Sequence, residues 1–180
     1  MTPLHFFVDV DIKRVLLANR WASEHWLPSA VVPRTNAQND AQDDEELLSA
    51  RSPQRIADDE QGTTWRFNGF AIELHPTEAE GYFLNVSSEA PKVFVMWRLV
   101  DEPHHDECVA RPVIVTVSYN QAARFMDGGE RVDAVPMPDA IVAWMRPFVA
   151  EHYRPEPRKK VRRNDPFLND ALGTNRPPRG

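Results

Sequence analysis

The stretch from Ser118 to Tyr153, followed at once by a basic run, constrains this chain most. It reads SYNQAARFMDGGERVDAVPMPDAIVAWMRPFVAEHY and then RPEPRKKVRR. Its first part carries the punctuation of two packed helices. Ser118 and Gln121 fit a capping box, in which a hydroxyl and an amide each satisfy a free backbone N–H. Asp127-Gly128-Gly129 closes that helix, because glycine accepts the left-handed conformation beyond a helix end. A second helix is expected from Pro138, where a missing N–H costs nothing. Its apolar stripe is Ile141, Trp144, Met145, Phe148 and His152. Pro147 lies inside it and is expected to kink it.

The preceding residues read as strands. In HFFVDVDIK, residues 5 to 13, Phe6, Val8, Val10 and Ile12 fall on one face and Asp9, Asp11 and Lys13 on the other. Trp26 to Val32 is a second candidate, stopped by Pro33. In WRFNGFAIEL, Asn68-Gly69 is the preferred pair for a two-residue hairpin turn. That turn would place Trp65, Phe67, Phe70, Ile72 and Leu74 on one face; a single strand would do so only with a bulge. Gly81 to Val86, Lys92 to Leu99 and Pro112 to Val117 complete the set. The last two are apolar on both faces, as in strands covered on both sides.

Strands that cluster before helices indicate an α+β fold rather than βαβ units. The expected architecture is a curved antiparallel sheet of five to seven strands covered by two C-terminal helices. One domain spans residues 1–157. Within it, residues 34–62 hold eight acids and three bases and read as a mobile acidic insertion. Residues 158–180 read as a basic tail, disordered in isolation. From Arg154 onward the net charge is +5, so the −6 of the whole chain hides a body of −11.

Several function classes lose support. There is no apolar run of about 18 residues to span a membrane and no secretory signal pattern at the N-terminus. The single cysteine, Cys108, closes no internal disulfide, and the cytoplasm is the default compartment. No G-x-G-x-x-G, G-x-x-x-x-G-K-[ST], G-x-S-x-G or H-E-x-x-H motif occurs. His104, His105, Asp106, Glu107 and Cys108 stand in a row, but adjacent side chains point apart, and a solvated loop is the plainer reading. Cys108 as a nucleophile needs a paired base and a depressed pKa. Asp9 and Asp11 share a strand face and suit a hard cation, or simply wet the outer surface. No catalytic residue, metal ligand or cofactor is therefore assigned.

Binding features are more prominent. Trp21 and Trp26, beside Arg20 and His25 in a polar stretch, are the expected exposed aromatic pair. Trp and Arg concentrate at binding hot spots. Asp133 to Asp139, with Pro136, Met137 and Pro138, would present a stiff edge. Arg158, Lys159, Lys160, Arg162 and Arg163 would dock on an acidic protein surface. Nucleic acid is the weaker partner, because an acidic body repels phosphates and RKKVRR interleaves no aromatic for stacking.

The blocks NRWASEHWLPSAVVP, GYFLNVSSEAPKVFVMWR and VTVSYNQAARFMDGGERVDAVPMPDAIVAWMRPFVAEHY, followed by RKKVRR, occur here in order. Together they resemble the bacterial domain-of-unknown-function family 3305, with VDAVPMPDAIVAW the most specific part. The resemblance carries no catalytic residues. Members of that family tend to be encoded near molybdenum-dependent formate dehydrogenases. This implies a non-catalytic accessory protein that binds a molybdoenzyme subunit or maturation factor. The alternative is a small cofactor- or nucleotide-binding protein or enzyme, with a pocket between sheet and helices against Trp97 or Trp144.

Overall fold

The computed structural model describes residues 4–18, 20–34, 53–101 and 108–155. The fold is α+β. Strands β1 (Leu4–Leu16), β2 (Glu24–Pro33), β3 (Gln54–Asp59) and β4 (Gly62–Leu74) form one antiparallel sheet in the order β2-β1-β4-β3. A 3-10 turn (Pro76–Glu78) leads into helix α1 (Ala79–Val86). Strands β5 (Lys92–Leu99), β6 (Ala110–Thr116) and β7 (Arg131–Pro136) form a second antiparallel sheet in the order β6-β5-β7. Helix α2 (Tyr119–Asp127) connects β6 to β7, and α3 (Asp139–His152) follows β7. The strands thus divide between two sheets instead of forming one. Their edges approach each other where β4 meets β6 and where β2 meets β7.

The alternation of β1 holds: Val8, Val10 and Ile12 are fully buried. They join Trp65, Phe67, Phe70, Ile72 and Leu74 of β4, Val93, Val95 and Trp97 of β5, and Ile141, Met145 and Val149 of α3 in one apolar cluster. Asn68-Gly69 is not a hairpin turn. β4 runs straight through it, and the pairing with β1 shifts register between Val8 and Val10. Gly69 has φ +81°, so the extra residue of this bulge sits in a conformation that glycine adopts without strain. The bulge returns Phe67 and Phe70 to the same face, which a regular strand would not. The true hairpin lies one strand earlier. Gln54–Asp59, which the sequence assigns to the acidic insertion, pairs with Gly62–Arg66.

Gly81 to Val86 is helical, not extended. Pro76 and the acids Glu78 and Glu80 precede or open the helix. Its buried positions Ala79, Tyr82 and Asn85 recur every three residues, a helical period that the apolar run GYFLNV conceals. α1 packs against both α2 and α3. A Cβ on Gly81 would lie 2.4 Å from Ser118 Oγ, so glycine permits this close approach. Ser118 caps α2 by accepting from the Gln121 N–H (3.1 Å) and donates to Glu78 Oε2 (2.7 Å). The second half of the capping box is replaced. Gln121 Oε1 accepts from the Thr116 hydroxyl (2.5 Å), and that hydroxyl accepts from the Ser118 N–H (3.1 Å). Arg124 donates to Glu78 Oε1 (2.5 Å), so one carboxylate holds the start and the second turn of α2.

Asn85 ties these layers together. Its side chain is fully buried. Nδ2 donates to the carbonyls of Lys92 (2.7 Å) and Val117 (2.8 Å), and Oδ1 accepts from the Lys92 N–H (2.9 Å). α1 is thereby stitched to the start of β5 and to the chain leaving β6.

Trp65 is deeply buried, whereas Trp144 is half-buried and packs on Phe6 with ring centres 5.1 Å apart. Pro147 lies within α3 as expected. Asn85→Ala is expected to leave three backbone groups unsatisfied and to destabilise by about 2–4 kcal/mol. Asn85→Asp should not rescue it, because a carboxylate would face two carbonyl oxygens. Chemical denaturation of the two variants checks this; a loss under about 1 kcal/mol in the alanine variant would show that the site rehydrates freely.

Candidate interaction surface

The β1–β2 hairpin loop, residues 17–23, is closed by a hydrogen bond from the Leu17 N–H to the Ser23 carbonyl (3.0 Å). Its tip presents Trp21, which is 94% exposed. Beneath it the sheet is stiff. The Arg14 guanidinium lies 5.8 Å from the Trp26 ring centre and 5.4 Å from that of Trp65, and the two indoles stack 5.2 Å apart. Arg14 Nη2 donates to Thr63 Oγ1 (3.1 Å), which donates to Asp58 (2.8 Å). Trp26 Nε1 donates to Glu24 (2.9 Å). Leu16 and Ile56 on the same sheet are 55% and 44% exposed. A rigid cation–π stack therefore carries a loop that holds a large aromatic in water.

This separates the two tryptophans that the sequence pairs. Trp21 is exposed, but Trp26 is only 7% exposed and belongs to the core. The cross-strand pairing of Arg14 with Trp26 turns that indole inward, which a polar flanking sequence gives no sign of. Of the proline-rich segment, Pro136 is exposed and Pro138 half-buried, while Met137 is buried and its N–H bonds to the Pro91 carbonyl (2.9 Å). Met137 is thus a core residue and not a contact surface. Arg158, Lys159, Lys160, Arg162 and Arg163 lie outside the described residues, as do His104 to Glu107. Cys108 is fully buried with Sγ 3.3 Å from the Ala110 carbonyl. It is a packed thiol, not part of a solvated loop.

Asp9 and Asp11 form a second cluster. Asp11 is buried and accepts two bonds from Arg66, at Nε (2.7 Å) and Nη2 (2.8 Å). Both of its oxygens face a guanidinium fork, so its charge is paired within the fold. Asp9 accepts from the Gly69 N–H of the bulge (3.1 Å) and lies 3.5 Å from Arg34 Nε. Desolvation pushes the Asp9 carboxyl above the ordinary carboxylate value, against the opposing pull of Gly69, Arg34 and Arg66.

A third feature is a cleft of 280 Å³ where β4 meets β6, lined by Ala71, Glu73 and His75 on one side and Val113, Ile114 and Gln121 on the other. Glu73 bridges two imidazoles, with His5 Nε2 at 3.4 Å and His75 Nε2 at 3.2 Å. Among the described residues, no group of three or more His, Cys, Asp or Glu side chains is arranged to hold a metal ion. Of the two tryptophans that the sequence offers to a ligand, Trp97 is buried and Trp144 half-buried. Trp97 lies under Arg131 (5.4 Å) and donates to Asp133 (2.5 Å), and Trp144 packs on Phe6. No helix among the described residues is long and apolar enough to cross a membrane.

A family described as protein of unknown function (DUF3305) matches residues 7–162. The chain belongs to this family. The match takes in both sheets, helices α1 to α3 and the first part of the basic run. No curated protein and no solved structure matches the chain.

The raised Asp9 value fixes the sign of a pH effect. The folded chain holds that proton more tightly than the unfolded one. Asp9 therefore costs the fold least below the ordinary carboxylate range, and stability is lost as pH rises through the raised value. Asp9→Asn keeps an acceptor for the Gly69 N–H and removes the titration. Its melting temperature relative to the parent chain should improve as pH rises from acid to neutral. A difference that stays flat over that range would show that Arg34 and Arg66 fully offset the burial.

Proposed function

We propose that this DUF3305 protein is a non-catalytic accessory protein that grips a protein partner with the hairpin end of its four-stranded sheet. The observation that carries the reading is the near-complete exposure of Trp21 on a loop braced by Arg14, Trp26 and Trp65. A tryptophan at a hot spot supplies large contact area with few rotamers to freeze, and a rigid base lowers the entropy lost on binding. Leu16, at the end of β1 beside the loop, adds exposed apolar area. The basic run from Arg158 to Arg163 would speed encounter with an acidic partner, an effect on association rate more than on affinity.

The partner class follows from the resemblance of the sequence blocks. A subunit or maturation factor of a molybdenum-dependent formate dehydrogenase, in the cytoplasm, is the client this reading names. Trp21→Ala should leave the melting temperature unchanged, since the ring is solvated. It should cut recovery of formate dehydrogenase components with tagged protein by about tenfold or more, the loss of a hot spot worth over 1 kcal/mol. Equal recovery by both proteins would remove Trp21 from the interface.

A second reading, a small cofactor- or nucleotide-binding protein, is favoured by one feature, the cleft lined by Glu73, His75 and Gln121, in which Glu73 also pairs with His5. Nucleotides and pterins at about 100 times a dissociation constant would stabilise the fold by about 2.7 kcal/mol. A thermal shift that His75→Ala abolishes would favour this reading over the first.

A further inference from the structure

Glu73 differs from the other acids that form ion pairs in this fold. Asp9, Asp11, Asp58, Glu78 and Glu130 each meet an arginine. Glu73 instead lies between two imidazoles, that of His5 directly across the strand pair and that of His75. Among the described residues no lysine or arginine pairs with it. Its half-exposed side chain lines the 280 Å³ cleft between β4 and β6. The backbone that carries this carboxylate is held from below. The hydroxyl of buried Tyr82 accepts from the His75 N–H (3.1 Å) and donates to the Glu73 carbonyl (3.3 Å). The opposite wall is apolar for a local reason. β6 pairs Ile114 with Met96 and Pro112 with Trp97, so Val113 is the extra residue of a bulge. Val113 and Ile114 are both left exposed on the cleft wall.

We propose that this cleft binds a guanidinium group carried on an aliphatic stem, with the guanidinium fork on Glu73 and the stem along Val113 and Ile114. With both imidazoles neutral, the cluster holds the single negative charge of Glu73. A carboxylate offers about four lone-pair sites. His5 faces one oxygen and His75 the other, so each oxygen keeps a further acceptor position. A planar guanidinium takes two such positions in parallel, and an ammonium does not. The apolar wall sets a second requirement, since a stem laid on Val113 and Ile114 removes their exposed surface from water. Size sets a third. A volume of 280 Å³ lies under the roughly 300 Å³ at which pockets for drug-sized ligands begin, and the phosphates of a nucleotide would meet the Glu73 charge. The ligand is therefore cationic and smaller than a nucleotide. An arginine side chain of a partner and a free alkylguanidine share this chemistry. The inference rests on the reading of the cleft as a ligand site and is independent of Trp21.

Nuclear magnetic resonance titration of the full chain with n-butylguanidinium tests it, at a mildly alkaline pH that keeps imidazoles neutral. The methyl signals of Val113 and Ile114 and the amide signals of Glu73 and His75 should move together and saturate. Glu73→Gln should weaken binding by about tenfold or more, the loss of a charge-assisted pair. Guanidinium without a stem and n-butylammonium without a fork should each bind the parent chain more weakly. Those two comparisons need no substitution, so they decide the matter even if Glu73→Gln perturbs the fold. N-acetylarginine methylamide binding more tightly than free arginine would make a partner's side chain the source, and the reverse order a free metabolite; either order supports the site. Equal affinity for guanidinium with and without its stem, unchanged affinity in Glu73→Gln, or shifts centred elsewhere would overturn the proposal. A nucleotide that moves these signals where n-butylguanidinium does not would overturn it and leave the ligand-site reading standing. Silence with both would overturn the two together.

Discussion

Three backbone groups in the middle of this protein end on one side chain. The Lys92 N–H, the Lys92 carbonyl and the Val117 carbonyl all bond to Asn85, and water does not reach it. A buried amide is costly unless satisfied, and once satisfied it admits few alternative packings. Here it sets where α1 sits relative to β5 and where β6 hands over to α2. The neighbouring contact of Gly81 with Ser118 then has no slack, since even a methyl would clash. The Ser118 cap, the Glu78 carboxylate and Arg124 complete a polar junction among three elements. The second sheet and the helices are positioned from this junction.

The four-stranded sheet is organised differently. Its core face is aromatic and continuous, and its other face carries the Asp9, Asp11, Arg34 and Arg66 charges. The Gly69 bulge serves both faces. It keeps Phe67 and Phe70 together inside, and it turns a backbone N–H toward Asp9. At the far end, Arg14 covers two stacked indoles with a cation, a contact that tolerates partial hydration. Two exposed features of the molecule, the Trp21 loop and the β4–β6 cleft, lie on separate parts of this frame. The interaction surface and the cleft therefore admit independent tests.

Legibility in the sequence varied with how local the signal was. The alternation of β1, the apolar runs of β5 and β6, and the Ser118 cap were readable because each depends on neighbouring residues. Asn68-Gly69 was misleading because a positive-φ glycine serves a bulge as well as a turn, and only pairing with β1 distinguishes them. Gly81 to Val86 looked extended because its apolar residues are contiguous; its helix shows only in which side chains meet α2 and α3. β7 escaped notice, being short and charged, since it exists by pairing with β5. For the candidate surface, Trp21 was legible as an exposed aromatic. Trp26 and Met137 were not legible as core, because burial there comes from distant chain crossing over them.

The sequence by itself determined the α+β class, the inner face of β1, the α2 and α3 helices, the membership that its ordered blocks announced and the charge contrast between body and tail. These follow from periodicity, capping and composition, which act over a few residues. Only the tertiary structure decided that the described strands split into two sheets, that Asp11 is paired with Arg66, that Cys108 is packed away and that one of two neighbouring tryptophans faces water. Each of those depends on groups far apart in the chain meeting in space, and a desolvated contact has no signature until both partners are in place.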